Sequence, residues 1–364
     1  MFSLSLKEIR FFKLRYSLIG FIYFFVASLV FIISGLANGL SADNASSILN
    51  MDAHAFYLDK DADHRLDRSR FDDQQMEKLT KNNAIQPIGL QMASLKKEGT
   101  DQKVDVSFMG INPNGFLMPD IKEGARLSSS SKPLTLVVDN SLKQDGVRIG
   151  DHLYDERSQL TFEIIGFTEH QTFSHSPVAF MNLKSWGKLT NSSQKFYYNA
   201  FVLKDEDQET QNNVQSIMKD GTWVTKDEVV QGIPGYKAEQ SSLLMMLVFL
   251  IIIAVFVLGA FFFIMTIQKI NEFGVLKAIG AKNTFLIGST LLQVVILSVF
   301  SIGGAIGFTG VLKVLMPEEI PFVFDVSLIL VFSVILLIVS ILGALLSAVN
   351  IVKADPLQAI GRTE

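Results

Sequence analysis

Cysteine is absent from the 364-residue chain and tryptophan occurs only twice. With no thiol there is no disulfide framework, no thiolate metal site and no cysteine nucleophile, whatever the redox compartment. Charge is scarce too: Asp, Glu, Lys and Arg make up 19% of the residues, against about a quarter in an average soluble domain. The formal net charge of −4 holds no basic excess, which argues against a nucleic-acid partner. What is there instead is apolar, 49% of the chain with 29 Phe, the composition of a polypeptide that lies partly in lipid.

Catalytic signatures are missing as well. The nearest approach to a phosphate-binding loop is Gly274-Val-Leu-Lys-Ala-Ile-Gly280-Ala-Lys282. It has one residue too many between its glycines and an Ala before the Lys, and no strand precedes it, so this chain is not expected to hydrolyse ATP. The five His lack the helical spacing of a zinc protease, and His170 and His175 read as surface or turn histidines. Asp59, Asp61 and Asp63 open like a calcium loop, but Arg65 and Leu66 stand where its later ligand and Gly should be. That run reads as a solvated loop. No nucleophile, base and orienting group assemble from the motifs, so the chain is not expected to be an enzyme.

Four long charge-free intervals stand out: Tyr16 to Ala42, Gln240 to Gln268, Asn283 to Leu312 and Val326 to Val352. Each exceeds the roughly 20 residues a helix needs to cross a hydrocarbon core. They are assigned as transmembrane helices over 16–42, 240–268, 285–312 and 326–352. The first follows a basic start, but its apolar stretch is longer than a signal-peptide core of about 7–15 residues, so it reads as a retained span. Lys7, Arg10, Lys13 and Arg15 in segment 1–15, Lys269, Lys277 and Lys282 in loop 269–284, and Lys353 and Arg362 in tail 353–364 put both termini and that loop in the cytoplasm. Loop 313–325, with only Lys313 against Glu318, Glu319 and Asp325, goes outside.

Segment 43–239 also goes outside, since long domains translocate largely regardless of charge. Leu134-Thr-Leu-Val-Val138 and Leu160-Thr-Phe-Glu-Ile-Ile165 read as strands, Glu206 to Lys219 as a helix, and a further helix is expected near Phe71 to Thr80. Gly232-Ile-Pro-Gly235 reads as the linker back to the bilayer. Asn44-Ala-Ser46 and Asn191-Ser-Ser193 fit the short N-glycosylation pattern. The expected architecture is an α-helical membrane protein with four transmembrane helices and a large extracytoplasmic α+β domain between helices 1 and 2.

In loop 269–284, Ile270, Phe273, Leu276, Lys277 and Gly280 recur at near-helical spacing. This is either a helix lying on the membrane surface or a knob for a soluble motor subunit. Asn271-Glu-Phe-Gly-Val-Leu-Lys-Ala-Ile-Gly-Ala281 closely resembles the coupling segment of FtsX-like and MacB-type (type VII) ABC transporter permeases, and Asp355-Pro-Leu-Gln-Ala-Ile360 is similar to their C-terminal motif. Leu6-Lys-Glu-Ile9, Ile33-Ser-Gly-Leu-Ala-Asn-Gly-Leu40 and Tyr236-Lys-Ala-Glu-Gln240 resemble the haem-regulated transporter permeases of Gram-positive bacteria.

The resemblance implies a homodimeric permease in the cytoplasmic membrane, bound to two copies of a separate ABC ATPase. It would export haem from the membrane by mechanotransmission and have no cofactor of its own. Glu272, Phe273, Leu276, Lys277 and Gly280 would dock on the ATPase. Haem would enter a vestibule at the dimer interface, with apolar walls of Phe31, Leu36 and Leu40 and with Glu239 as axial ligand to its iron. Glu239 is either that ligand or a charge marking the helix end. Tyr236 is a second ligand or an aromatic-belt residue. Met245 and Met246 supply a thioether or simply pack, and Lys237 would meet a propionate. Gly35 and Gly39 form a small-x-x-x-small pair, for a dimer seam or for packing on helix 2, and Gly303 and Gly307 repeat it for packing within the protomer. No His or Cys stands near a helix top in the sequence, so the iron is expected to lack a strong conventional ligand. The competing readings are an exporter of antimicrobial peptides or amphipathic drugs, and a signal-transmitting permease that activates a cell-wall hydrolase.

Overall fold

The computed structural model describes residues 2–72, 84–129, 134–191, 197–317 and 320–353. It divides into a helical unit, Met1–Gly39 with Ser241–Glu364, and an α+β unit, Leu40–Gln240. The C-terminal Asp355 to Ile360 motif and Ser192-Ser193 lie outside the described residues.

The helical unit contains α1 (Phe2–Phe11) and draws on four long helices: α2 (Lys13–Leu49), α6 (Tyr236–Gln268), α8 (Asn283–Leu315) and α9 (Val326–Lys353). These four are long and apolar enough to cross a membrane. On α2, Tyr16, Ile19, Tyr23, Ala27 and Val30 recur every three or four residues and are buried, so one stripe faces the other helices. α6 contributes Ala254, Leu258, Phe262 and Met265 to the same core. Several polar atoms inside the bundle are paired, as a medium without water favours: Ser340 Oγ donates to Tyr23 Oη at 2.9 Å and Ser301 Oγ to the Gly20 carbonyl at 2.9 Å, while the buried Ser28 and Thr309 hydroxyls have no partner among the described residues.

Among the described residues of the α+β unit the strands are β1 (Ala55–Asp59), β2 (Phe71–Asp72), β3 (Ile85–Lys97), β4 (Lys103–Ile111), β5 (Glu123–Gly124), β6 (Thr135–Asp139), β7 (His152–Asp155), β8 (Leu160–Thr168), β9 (Thr172–Phe173), β10 (Ser176–Asn182), β11 (Tyr197–Tyr198), β12 (Ala200–Leu203) and β13 (Gly221–Thr225). α3 (Leu183–Asn191), α4 (Gln208–Ile217) and α5 (Lys226–Gly232) accompany them. The 13-residue β3 is long enough to serve two substructures. Its start joins the sheet β13-β1-β12-β3, while its length closes a ring through β4, β10, β6, β8 and β7 and back to β3. Closure leaves no free edge, and the ring interior is filled by side chains such as Phe108, Leu136, Phe162, Ile164 and Trp186.

The open sheet shows why these residues form strands. On β1, Ala55 and Tyr57 point to one core while Phe56 and Leu58 point to the other, and β12 does the same with Phe201 and Leu203 against Ala200 and Val202. That is the two-residue alternation of a sheet covered on both faces. One face packs α4 through Val214, the other takes Ala45 and Ile48 from the end of α2 and Val229 and Val230 from α5. α5 starts with a capping box, Thr225 and Glu228 bonding reciprocally.

The expected strands at 134–138 and 160–165 and the helix within 206–219 are present as β6, β8 and α4. The helix expected from Phe71 is not what opens there: Phe71–Asp72 is a strand paired with Tyr197–Tyr198. Cross-strand pairing overrode local propensity, and residues 73–80 of that expected helix lie outside the described residues. α2 runs on to Leu49, past the charges at Asp43, because its last two turns bury Ala45 and Ile48.

Candidate functional site

Two helical turns face one another in the α+β unit. Ser41 and Asn44 on α2 are one turn apart, as are Tyr236 and Glu239 on α6, so each pair projects from one side of its helix. The Tyr236 and Ser41 hydroxyls lie 2.9 Å apart, and Asn44 Nδ2 donates to Glu239 Oε2 at 2.8 Å. Glu239 sits in the first turn of α6, where the helix dipole favours a carboxylate. Asn44 is buried, and its Oδ1 has no hydrogen-bond partner among the described residues.

A third element completes the cluster. His175, at the tip of the β9–β10 hairpin, has Nδ1 3.0 Å from Asp43 Oδ2 and Nε2 3.2 Å from Glu239 Oε2. Partial burial works against its charge, but the Asp43 hydrogen bond and the two carboxylate charges outweigh that and raise its pKa above the ordinary histidine value. The sequence reading that no His stands near a helix top is therefore corrected. His175 is in a turn, as read, but 64 residues separate it from Glu239, and only sheet packing carries the hairpin there.

The other expected cargo residues are dispersed. Phe31 is 1% exposed in the core of the helical unit, beside Phe322 and Ile329. Leu36 and Leu40 are half-buried, Lys237 is exposed, and Met245 is exposed on α6. Gly35 and Gly39 pack neither on helix 2 nor in an open seam. A Cβ at Gly35 would strike the Phe322 ring at 2.4 Å, and one at Gly39 the Pro321 carbonyl oxygen at 1.9 Å. The segment before α9 is what requires them to be small. At Gly303 and Gly307 a Cβ would meet nothing within 4 Å, so the close packing expected there is absent.

The coupling segment forms α7 (Ile270–Ala278). Gly280 follows it at φ +101°, a conformation glycine adopts without strain, and the Ala281 N–H closes the end on the Leu276 carbonyl at 2.9 Å. Phe273 does not project. It is 3% exposed and packs with Leu286 and Ala348, anchoring α7 to the bundle. Leu276, Glu272 and Lys277 are half-buried, while Val275 and Ile279 are exposed, Ile279 at 79%. The apolar surface that α7 offers is thus Val275 and Ile279, which near-helical spacing did not single out because it cannot tell which face is covered.

At the joint between α6 and α7 a polar network is sealed inside the helical unit. Lys269 Nζ donates to Glu8, to Gln293 Oε1 at 3.1 Å and to Tyr16 Oη at 3.3 Å. Gln293 Nε2 donates to Glu8 Oε2 at 2.6 Å and Tyr16 to Gln293 Oε1 at 2.5 Å. The Lys269 side chain is 1% exposed, and all three of its N–H groups are used. It reads in the sequence as a loop charge, yet it ties α1, α2 and α8 to the joint.

Residues 244–356 match the family model described as FtsX-like permease C-terminal. Over its whole length the chain is 32% identical, across 365 residues and 100% of both chains, to the hemin transport system permease protein HrtB of Staphylococcus haemolyticus. It is 30% identical to the protein of that name from Staphylococcus epidermidis, over 359 residues and 99% of each chain. The extracellular domain of the ABC-type transporter YknZ aligns with 48% of this chain and 99% of its own at 13% identity, but a TM-score of 0.34 carries no argument.

Proposed function

The chain belongs to the FtsX-like permeases, with HrtB proteins as full-length relatives, and on that premise we propose that it is the membrane subunit of an ABC efflux pump that exports haem from the cytoplasmic membrane and protects the cell from haem toxicity. The observation that carries the reading is the cluster at the top of α6: a carboxylate, Glu239, and a phenol, Tyr236, held on one face of a helix that begins at the membrane boundary. Both oxygen types are ligands for ferric iron, and an ionisable group at that depth is functional by default.

Two copies of this chain work with two copies of a separate ATPase subunit, and both termini lie in the cytoplasm. A second copy fits the uncovered face of α6. Met245, Phe249, Ile252, Phe256 and Phe263 are all exposed and recur at spacings of four, three, four and seven, the heptad-like seam of a left-handed helix pair. Met245 is at its outer end, next to the cluster in sequence. Haem suits such a seam because its flat apolar face gains from burial between aliphatic and aromatic side chains. At the other end, ATPase closure presses on Val275 and Ile279, and buried Phe273 passes the push to the bundle. The Lys269 network makes α1, α2 and α8 move with the α6–α7 joint instead of sliding past it.

Ferric haem titrated into the detergent-purified protein tests this reading. Saturable binding with a Soret band shifted from that of haem in empty micelles is expected. Glu239→Ala should weaken binding by at least about tenfold, which is 1.4 kcal/mol, and Tyr236→Ala by less. Only the micelle spectrum from wild type would exclude haem as cargo and leave an amphipathic peptide or drug in its place.

A further inference from the structure

Glu239 is gripped from outside its own helix. The β9–β10 hairpin, with Ser176 paired to Phe173, turns through Ser174 and His175, both at positive φ, 51° and 60°. A two-residue turn of this kind is made most easily by Asn-Gly. Ser and His each adopt that backbone at a cost and keep it only where their surroundings fix it, a form of strain that clusters at functional sites. Here the surroundings are the end of α2, whose Asn44 carbonyl accepts from the Ser174 N–H at 2.8 Å, and two carboxylates on the His175 ring: Asp43 at 3.0 Å on Nδ1 and Glu239 at 3.2 Å on Nε2.

The Glu239 contacts are one-sided. His175 Nε2 and Asn44 Nδ2 both bond Oε2, and among the described residues no hydrogen bond falls on Oε1. A carboxylate pinned through one oxygen presents the other in a set direction. We propose that His175 is a positioning residue for the cargo: it holds Glu239 so that Oε1 meets the haem iron, and Asp43 holds His175 in turn. This rests on Glu239 being the iron ligand. His175 is not itself the opposite axial ligand in this arrangement, because donors on two sides of one metal stand ~4 Å apart, about 2 Å each from it, whereas these two are at hydrogen-bond distance. Groups that orient a metal ligand are worth roughly 10–100-fold in affinity.

The test uses the full chain in detergent, titrated with ferric haem and read by Soret absorbance and by electron paramagnetic resonance of the iron. His175→Asn is the informative variant, since Asn suits positive φ better than His and is too short to span Asp43 and Glu239, so turn strain cannot explain a loss. It should weaken binding by about 10–100-fold and broaden the iron signal while leaving the thermal midpoint in place. Asp43→Asn should act in the same direction, more weakly. The double variant His175→Asn, Glu239→Gln should bind no more weakly than Glu239→Gln alone, because there is then no ligand left to orient. If His175→Asn binds like wild type while Glu239→Gln weakens binding, the positioning role falls and the Glu239 assignment stands. If Glu239→Gln also binds like wild type, both fall. An additive loss in the double variant would likewise overturn the positioning role.

Discussion

Replacing Lys269 with Met is a severe change for a residue at the edge of a loop. The ammonium is enclosed and spends its three N–H groups on Glu8, Gln293 and Tyr16. Removing it leaves the Glu8 carboxylate, whose side chain is 16% exposed, with the Gln293 amide as its one remaining donor among these partners. Breaking one side of a buried ion pair costs about 3–5 kcal/mol, because the other charge stays desolvated, whereas replacing both sides with apolar groups is often close to neutral. At 2–4 °C per kcal/mol for a unit of this size, Lys269→Met should lower the unfolding midpoint by roughly 6–20 °C. Adding Glu8→Leu should restore most of the loss. The assay is thermal unfolding in detergent for the wild type, both single variants and the double, which closes a thermodynamic cycle. A shift under about 4 °C for Lys269→Met, or a double variant no more stable than the single, would refute the view that the pair is sealed from water. The restored double variant should still bind haem at the other end of α6 but couple ATP hydrolysis to export poorly.

Gly39→Ala should destabilise the helical unit severely, by several kcal/mol, since its Cβ would lie 1.9 Å from a carbonyl oxygen, while Gly307→Ala should be neutral or slightly stabilising in the same melting assay because nothing stands in its way. Ile279→Asp should abolish stimulation of the partner ATPase with normal expression and midpoint, whereas Phe273→Ala should cost about 3–5 kcal/mol of stability as a buried aromatic. Thr225→Ala should cost about 1 kcal/mol by removing the α5 cap. The hydrogen bonds from Thr225 hold the Glu228 carboxyl below its usual pKa. Their contribution is therefore present above the unfolded carboxylate value of about 4.3 and is lost as pH falls through the lower folded value. Thr225→Ala keeps the larger, backbone bond to Glu228 and loses only the hydroxyl's, so the midpoint gap between wild type and variant should narrow in part as pH falls and stay constant above pH about 5.

Much of the architecture was legible because lipid and sheet impose strong local rules. A charge-free run longer than the bilayer needs has few alternatives to a spanning helix, and the β-branched runs at 134–138 and 160–165 carry the composition of strands. The coupling segment was legible as a motif. What misled was direction: Phe273 and Val275 are both apolar on a short helix, and which of them is covered depends on Leu286 and Ala348.

By itself, then, the sequence determined the number of spans, the α+β insertion between the first two and the absence of an ATPase motif. Those follow from periods and lengths within one element. Only the structure, by starting the second long helix at Tyr236, set Tyr236 and Glu239 on one helical face. Tertiary structure alone decided that His175 meets Glu239, that Lys269 turns inward to Glu8, and that Gly35 and Gly39 yield space to Phe322 and Pro321. Each joins residues tens to hundreds of positions apart, and no local propensity encodes such a meeting. Its free energy comes from desolvation and close approach that exist only once the elements are packed.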